Sequence, residues 1–172
     1  MTAQEQAALR QGVLTKPPGS LGQLEQLAIQ FAGWQGKAVP NLVAKKTSIA
    51  IFAADHGIAE EGVSAFPQAV TVEMVKNFAH GGAAISVLAG HQGADLHIVN
   101  AGTANPTEGI EGVVDCAIAP GTASFSTQAA MTESQCVEAL AVGQYVINNV
   151  IADDTQLFIG GEMGIANTTS AT

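Results

Sequence analysis

Apolar residues recur every three or four positions at Leu21, Leu24, Leu27, Ala28, Phe31 and Trp34, which predicts one apolar face on a helix ending near Gln35. A shorter helical stretch, Ala3 to Gln11, precedes it without a strong cap. Between them Lys16-Pro17-Pro18-Gly19-Ser20 makes a turn that no helix crosses, and Ser20 with Gln23 reads as a capping box. The period then changes. Thr47 to Ala54 is short, rich in apolar residues on both faces, and predicts a strand covered on both sides. Helical spacing returns over Gln68–Phe78 and Ala83–His91, with Gly93 as the stop. Leu96–Ala101 predicts a second strand and Gly112–Ile118 a third. Thr132 with Gln135 opens a long helix from Glu133 to about Ile151, and Gln156–Gly160 predicts the last strand.

Strands alternating with helices imply crossover connections and a doubly wound, mostly parallel α/β sheet, Rossmann-like in architecture. The last strand leads into Gly161-Glu162-Met163-Gly164 and a run of hydroxyl residues that ordinarily launches a helix. The expectation is a truncated domain, cut within an element.

Composition narrows the function classes. Of 172 residues, 47% are hydrophobic and 12% charged, too apolar for disorder. Fifteen acidic residues against six basic ones give a net charge of -9. The cations Arg10, Lys16, Lys37, Lys45, Lys46 and Lys76 form no basic face, so neither nucleic acid nor an anionic membrane is expected as a partner. The N-terminal residues show no secretory pattern, and the longest strongly apolar run, Ile49–Ala54, is far too short to span a bilayer; a cytoplasmic protein is expected. Cys116 and Cys136 fit no zinc or redox spacing and read as small buried hydrophobes.

Ligands of open α/β sheets bind beyond the carboxyl ends of the strands. Two segments stand there. At Gly160–Ser170, glycines allow close backbone approach, and Asn167, Thr168, Thr169 and Ser170 add donors. This is either a phosphate cradle using free N–H groups or an ordinary strand-to-helix turn. Glu162, placed inside that turn, either orients a ribose hydroxyl and stabilises a developing cation, or caps the helix. At the other segment, Asp55-His56 raises a metal or acid–base reading, but adjacent residues seldom aim at one target, and the histidines show no ligand spacing. The loop around Phe66 and Gln68 offers an aromatic and an amide to a flat heteroaromatic ligand, or else tucks Phe66 into the core.

Several blocks together carry a resemblance: Lys16-Pro-Pro-Gly-Ser-Leu-Gly22, Ala53-Ala-Asp-His-Gly57, Glu61-Gly-Val-Ser-Ala-Phe-Pro-Gln68, Asn77-Phe78 with Gly81-Gly-Ala-Ala-Ile85, Ala119-Pro-Gly-Thr122 and Gly161-Glu-Met-Gly-Ile-Ala-Asn-Thr-Thr-Ser-Ala171. In order and content they resemble the nicotinate-nucleotide–dimethylbenzimidazole phosphoribosyltransferase family. The resemblance implies transfer of phosphoribosyl from nicotinate mononucleotide to 5,6-dimethylbenzimidazole, giving α-ribazole 5′-phosphate and nicotinate for the lower ligand of cobalamin. It implies no cofactor, no metal and a homodimer. Residues 1–40 would contribute helices to a small helical domain, and residues 41–172 a partial nucleotide-binding domain whose C-terminal half is missing. Carried over by motif, Glu162 is an accessory acidic group at the reacting centre, the main general-base glutamate lying beyond residue 172. Gly164, Ile165, Asn167, Thr168 and Thr169 fall on the phosphoribosyl side; Phe66, Gln68 and Met163 fall on the benzimidazole side. Ala166 stands where relatives commonly carry glycine, and His97–Gly102 departs from the family's strand end. The fragment alone is expected to be inactive. The alternative is a truncated relative that only binds a nucleotide or a benzimidazole.

Overall fold

The computed structural model describes residues 1–41 and 47–172; the Lys45–Lys46 pair lies outside them. The chain divides into two compact units, Met1–Leu42 and Val43–Thr172.

The first unit is a helix pair, α1 (Ala3–Gln11) and α2 (Gln23–Gln35). Contrary to the reading of an uncapped start, Thr2 caps α1. Its hydroxyl accepts from the Glu5 amide at 3.2 Å and its own amide donates to the Glu5 carboxylate at 2.8 Å. The capping box expected from Ser20 and Gln23 does not form; Gly22 is the N-cap of α2 and no side chain caps it. Glu25 secures the entry instead, accepting from the Leu21 amide at 3.2 Å and pairing with Lys16 at 2.7 Å. The Lys16 ammonium holds the Glu25 carboxyl below its usual range. Small residues bring the helices together, Ala7 and Ala32 both being buried. The apolar stripe has helical spacing, yet Leu24 and Trp34 remain exposed at 64% and 72%.

The second unit is a four-stranded sheet in the order β3-β2-β1-β4, with every neighbouring pair parallel. The strands are β1 (Thr47–Ala54), β2 (Asp95–Gly102), β3 (Val113–Asp115) and β4 (Leu157–Met163). Helices α3 (Val70–Ala79) and α4 (Ala84–Gln92) connect β1 to β2, and α5 (Glu133–Asn149) returns the chain from β3 to β4. Alternation sorts β1 between two cores. Ile49, Ile51 and Ala53 pack with Ile98 of β2 and with Val75 and Phe78 of α3. Ala50 packs with Val99 of β2 and Val146 of α5, with Phe52 partly buried beside them. Helices therefore cover both faces, as the unalternated apolar pattern of β1 requires. The capping box of Thr132 and Gln135 opens α5 as expected. Cys116 is half-buried, and burial pushes its thiol pKa up. Cys136 is exposed on α5, against the reading of a buried hydrophobe. Among the described residues no helix is long and apolar enough to cross a membrane.

Asn100 fixes how β2 ends. Its amide donates to Thr107 at 2.9 Å and Asp115 at 3.0 Å, and its carbonyl accepts from the amides of Gly102 and Thr103. All of this lies at a side chain only 4% exposed. Asn100→Ala leaves those groups without partners, and unmade buried hydrogen bonds cost about 1–3 kcal/mol each when water cannot replace them. A loss of about 2–4 kcal/mol in chemical denaturation of the complete gene product is expected; a loss below about 0.5 kcal/mol would show that water repairs the network.

Candidate functional site

The chain runs from β1 outward through β2 to β3, then returns to place β4 on the other side of β1. That reversal makes the carboxyl ends of β1 and β4 the topological switch point, where open α/β sheets bind ligands.

The end of β1 is held from several sides. Asp55 is fully buried. Its amide donates to the Gly102 carbonyl at 2.9 Å, its carbonyl accepts from Thr122 N at 3.0 Å, and Oδ2 accepts from Ala104 N at 2.7 Å. Oδ1 has no partner. Gly57 N donates to the Thr122 hydroxyl at 3.2 Å, and Gln68 Nε2 donates to the His56 carbonyl at 3.4 Å. Asp55 and His56 thus face different surroundings, and no cluster able to hold a metal occurs among the described residues.

At β4 the strand continues through Glu162 and Met163, so Glu162 lies within a strand and not in the turn expected for it. The reason is that pairing with β1 continues, Phe52 opposite Glu162 and Ala53 opposite Met163; at Gly161, paired with Ile51, Ile51 Cδ1 stands 2.5 Å from where a Cβ would be. Glycine here admits a neighbouring side chain, not a ligand. Gly164 acts likewise. The Ala54 carbonyl and the His56 ring occupy the space beside its Cα.

Beyond β4, Asn167 opens a short helix, α6 (Asn167–Ala171). The Asn167 amide donates to both Glu162 carboxylate oxygens, at 2.7 and 2.6 Å, while Asn167 Oδ1 accepts from the Thr168 amide at 2.8 Å. The free N–H groups expected in this turn are largely used within the chain. Ile165 N donates to the buried Thr71 hydroxyl at 3.1 Å, Asn167 N to Gly164 O, and Thr169 N to Ala166 O. Ile165 itself is buried, and Met163 packs against the α3 side of the core.

The structure therefore brings Glu162, Asn167 and Thr168 into one hydrogen-bonded group. It ties Gln68 and Gly164 to His56, and Ile165 to Thr71. Phe66 stays apart, 64% exposed, so the reading that tucks it into the core is excluded. Thr71 and Thr122 give no signal in the sequence, because each acts through a hydrogen bond to a residue far along the chain. The loop after β3 is anchored separately: Ser124 at 2.7 Å and Ser126 donate to the Glu61 carboxylate and hold it below its usual range. Nearby, an apolar cleft of about 120 Å³ opens between the ends of β1 and β2 and the start of α5. Ala54, Gly102, Thr122, Met131 and Gln135 are among its walls, and none of the switch-point residues from Glu162 to Thr169 lines it.

Ala166 adopts the left-handed conformation, φ 70°, ψ 14°, alone among the described non-glycine residues. That conformation costs an L-residue about 1–2 kcal/mol, against roughly 0.5–1 kcal/mol for glycine's greater freedom when unfolded. Ala166→Gly is expected to stabilise the complete gene product by about 0.5–1 kcal/mol in denaturant titration; destabilisation would contradict the strain. Gly164→Ala is expected to cost about 2–3 kcal/mol through overpacking against backbone, and an unchanged midpoint would contradict that packing.

A family model described as phosphoribosyltransferase matches residues 1–172. The chain is 56% identical over 165 residues to the nicotinate-nucleotide–dimethylbenzimidazole phosphoribosyltransferase of Xanthomonas oryzae pv. oryzae (strain PXO99A), covering 96% of this chain and 47% of that protein. It is 54% identical over 169 residues to the protein of the same name from Pseudomonas fluorescens (strain SBW25), covering 98% and 48%. The crystal structure of the protein of that name from Thermus thermophilus superposes with a TM-score of 0.90 at 39% identity, over 98% of this chain and 51% of that one. The chain spans about half the length of the curated relatives it matches.

Proposed function

Because the chain belongs to the phosphoribosyltransferase family matched across residues 1–172, we propose that its protein transfers phosphoribosyl from nicotinate mononucleotide to 5,6-dimethylbenzimidazole, in the synthesis of cobalamin's lower ligand. The observation that carries the reading is the group Glu162, Asn167 and Thr168 at the switch point. It lies within a block that resembles the family's nucleotide site.

A ring nitrogen of the benzimidazole attacks the anomeric carbon as the bond from that carbon to nicotinate breaks. The benzimidazole N–H proton leaves to a base, assigned by the resemblance to a glutamate beyond residue 172. The electron pair of the broken bond goes to the nicotinate nitrogen. Positive charge grows on the ribose between bond breaking and bond making. A carboxylate held beside it lowers that barrier without moving a proton. Glu162 has this role in the proposal, and the two bonds from Asn167 fix its carboxylate in advance of reaction. The displacement balances without an oxidant, reductant or metal.

In this reading Gly164, Ile165, Asn167, Thr168 and Thr169 form the phosphoribosyl side. Ile165, with its side chain buried and its amide bound to Thr71, shapes the turn, and the hydroxyls of Thr168 and Thr169 are the donors offered to substrate. Phe66, Gln68 and Met163 form the benzimidazole side. The exposed ring of Phe66 is suited to close over a flat base. The protein works as a cytoplasmic homodimer in this proposal, which the resemblance favours.

In the complete gene product, nicotinate release from nicotinate mononucleotide is expected only when dimethylbenzimidazole is present. Glu162→Gln is expected to lower kcat by about 10²-fold, the effect of losing one preorganised electrostatic contact. Release of nicotinate without the base, or full activity in the variant, would contradict the proposal. Binding of both substrates without turnover would favour the binding-only alternative.

A further inference from the structure

The turn after β4 has little left to offer an anion. The amides of Ile165, Asn167, Thr168 and Thr169 already donate within the chain. Fixed positive charge is scarce as well. From residue 47 to 172 the sequence holds one lysine or arginine, Lys76, while all the acidic residues except Glu5 and Glu25 fall in the same stretch. Lys76 is engaged by Glu73 at 2.7 Å. Beyond the hydroxyls of Thr168 and Thr169, a nucleotide anion bound at this switch point can draw on one further side-chain donor of this unit.

That donor is His56. It follows β1 directly, on a backbone fixed by the bonds of Asp55, Gly57 and Gln68. Its ring lies against Gly164, with Cδ2 and Nε2 at 2.8 and 2.9 Å from where a Cβ at that residue would stand. The ring is half-buried, and among the described residues no hydrogen bond engages either of its nitrogens. A polar group on a rigid mount beyond the carboxyl end of a strand, with its hydrogen-bonding capacity unspent, is prepared for a ligand. The absence of a side chain at Gly164 is what admits the ring to this place.

We propose that His56 is a substrate-binding residue whose imidazole N–H donates to an anionic oxygen of the nucleotide substrate at the Gly164 turn. The inference rests on the proposed transferase reading and adds a contact to it. The oxygen belongs either to the phosphate or to the nicotinate carboxylate; the chemistry of the contact is the same.

The test uses the complete gene product and calorimetric titration with nicotinate mononucleotide. His56→Ala is expected to weaken that binding about 10- to 100-fold, as for one hydrogen bond to a charged group, and to leave dimethylbenzimidazole binding unchanged. His56→Gln, which keeps an N–H donor, is expected to recover most of the loss. Nicotinate riboside lacks the phosphate and nicotinamide mononucleotide lacks the carboxylate. The His56→Ala penalty should vanish with one of them, and that one identifies the contacted anion. Unchanged nucleotide binding in His56→Ala would overturn the inference alone. So would a penalty that persists with both analogues, or equal weakening of both substrates with no recovery in His56→Gln. Failure of the unsubstituted protein to bind nicotinate mononucleotide would overturn the transferase reading and this contact with it.

Discussion

The close parallel pairing of β4 with β1 is the constraint on which the site depends. It requires glycine at Gly164, where the Ala54 carbonyl and the His56 ring take the space of a Cβ; at Gly161 the tip of the Ile51 side chain fills that space. With a larger residue at 164, the end of β4 would stand away from β1, and the strand ends would not converge. Because they do converge, Glu162 reaches Asn167 across the turn, and the Ile165 amide reaches Thr71 on α3. The site is therefore a consequence of sheet packing before it is a matter of particular reactive groups.

The electrostatics follow from the same geometry. An acidic chain with one lysine or arginine in its described sheet unit offers a nucleotide no bulk positive charge. In the proposed function this unit uses a few placed dipoles at short range, where desolvation makes each contact count. The turn spends several of its backbone amides on its own shape, the Asn167 side chain fixes the carboxylate of Glu162, and in the proposed function side chains meet the ligand. Preorganisation of this kind suits stabilisation of a short-lived cationic ribose, since nothing has to rotate as charge develops.

Much of the fold is legible in the sequence, for physical reasons visible in single elements. Thr47–Ala54 announces a buried parallel strand because it is apolar on both faces. Thr132 and Gln135 mark the start of α5 by their spacing. Thr2 and Glu5 carry the same signal for α1, although the shortness of the helix obscures it. Ser20 and Gln23 carry a similar spacing, but Gly22 and Glu25 set the start of α2 instead. The glycines before Glu162 suggest a turn in the sequence; only the pairing of Glu162 and Met163 with Phe52 and Ala53 of β1, set far along the chain, keeps the strand going. The candidate site is legible as a set of residue types at a strand end. Its connections are not, because the bonds of Thr71 and Thr122 span 94 and 65 residues and leave no local pattern.

In the proposed function the nucleotide binds at the carboxyl ends of β1 and β4. The apolar cleft between β1, β2 and α5 is the competing location in the same unit, walled by Ala54, Gly102, Met131 and Gln135. A crystal structure of the complete gene product with nicotinate mononucleotide decides between them. The account predicts the ribose beside Glu162 and Asn167, with the Thr168 hydroxyl in contact with the ligand. Nucleotide density seated against Met131 and Gln135, away from Glu162, would contradict it.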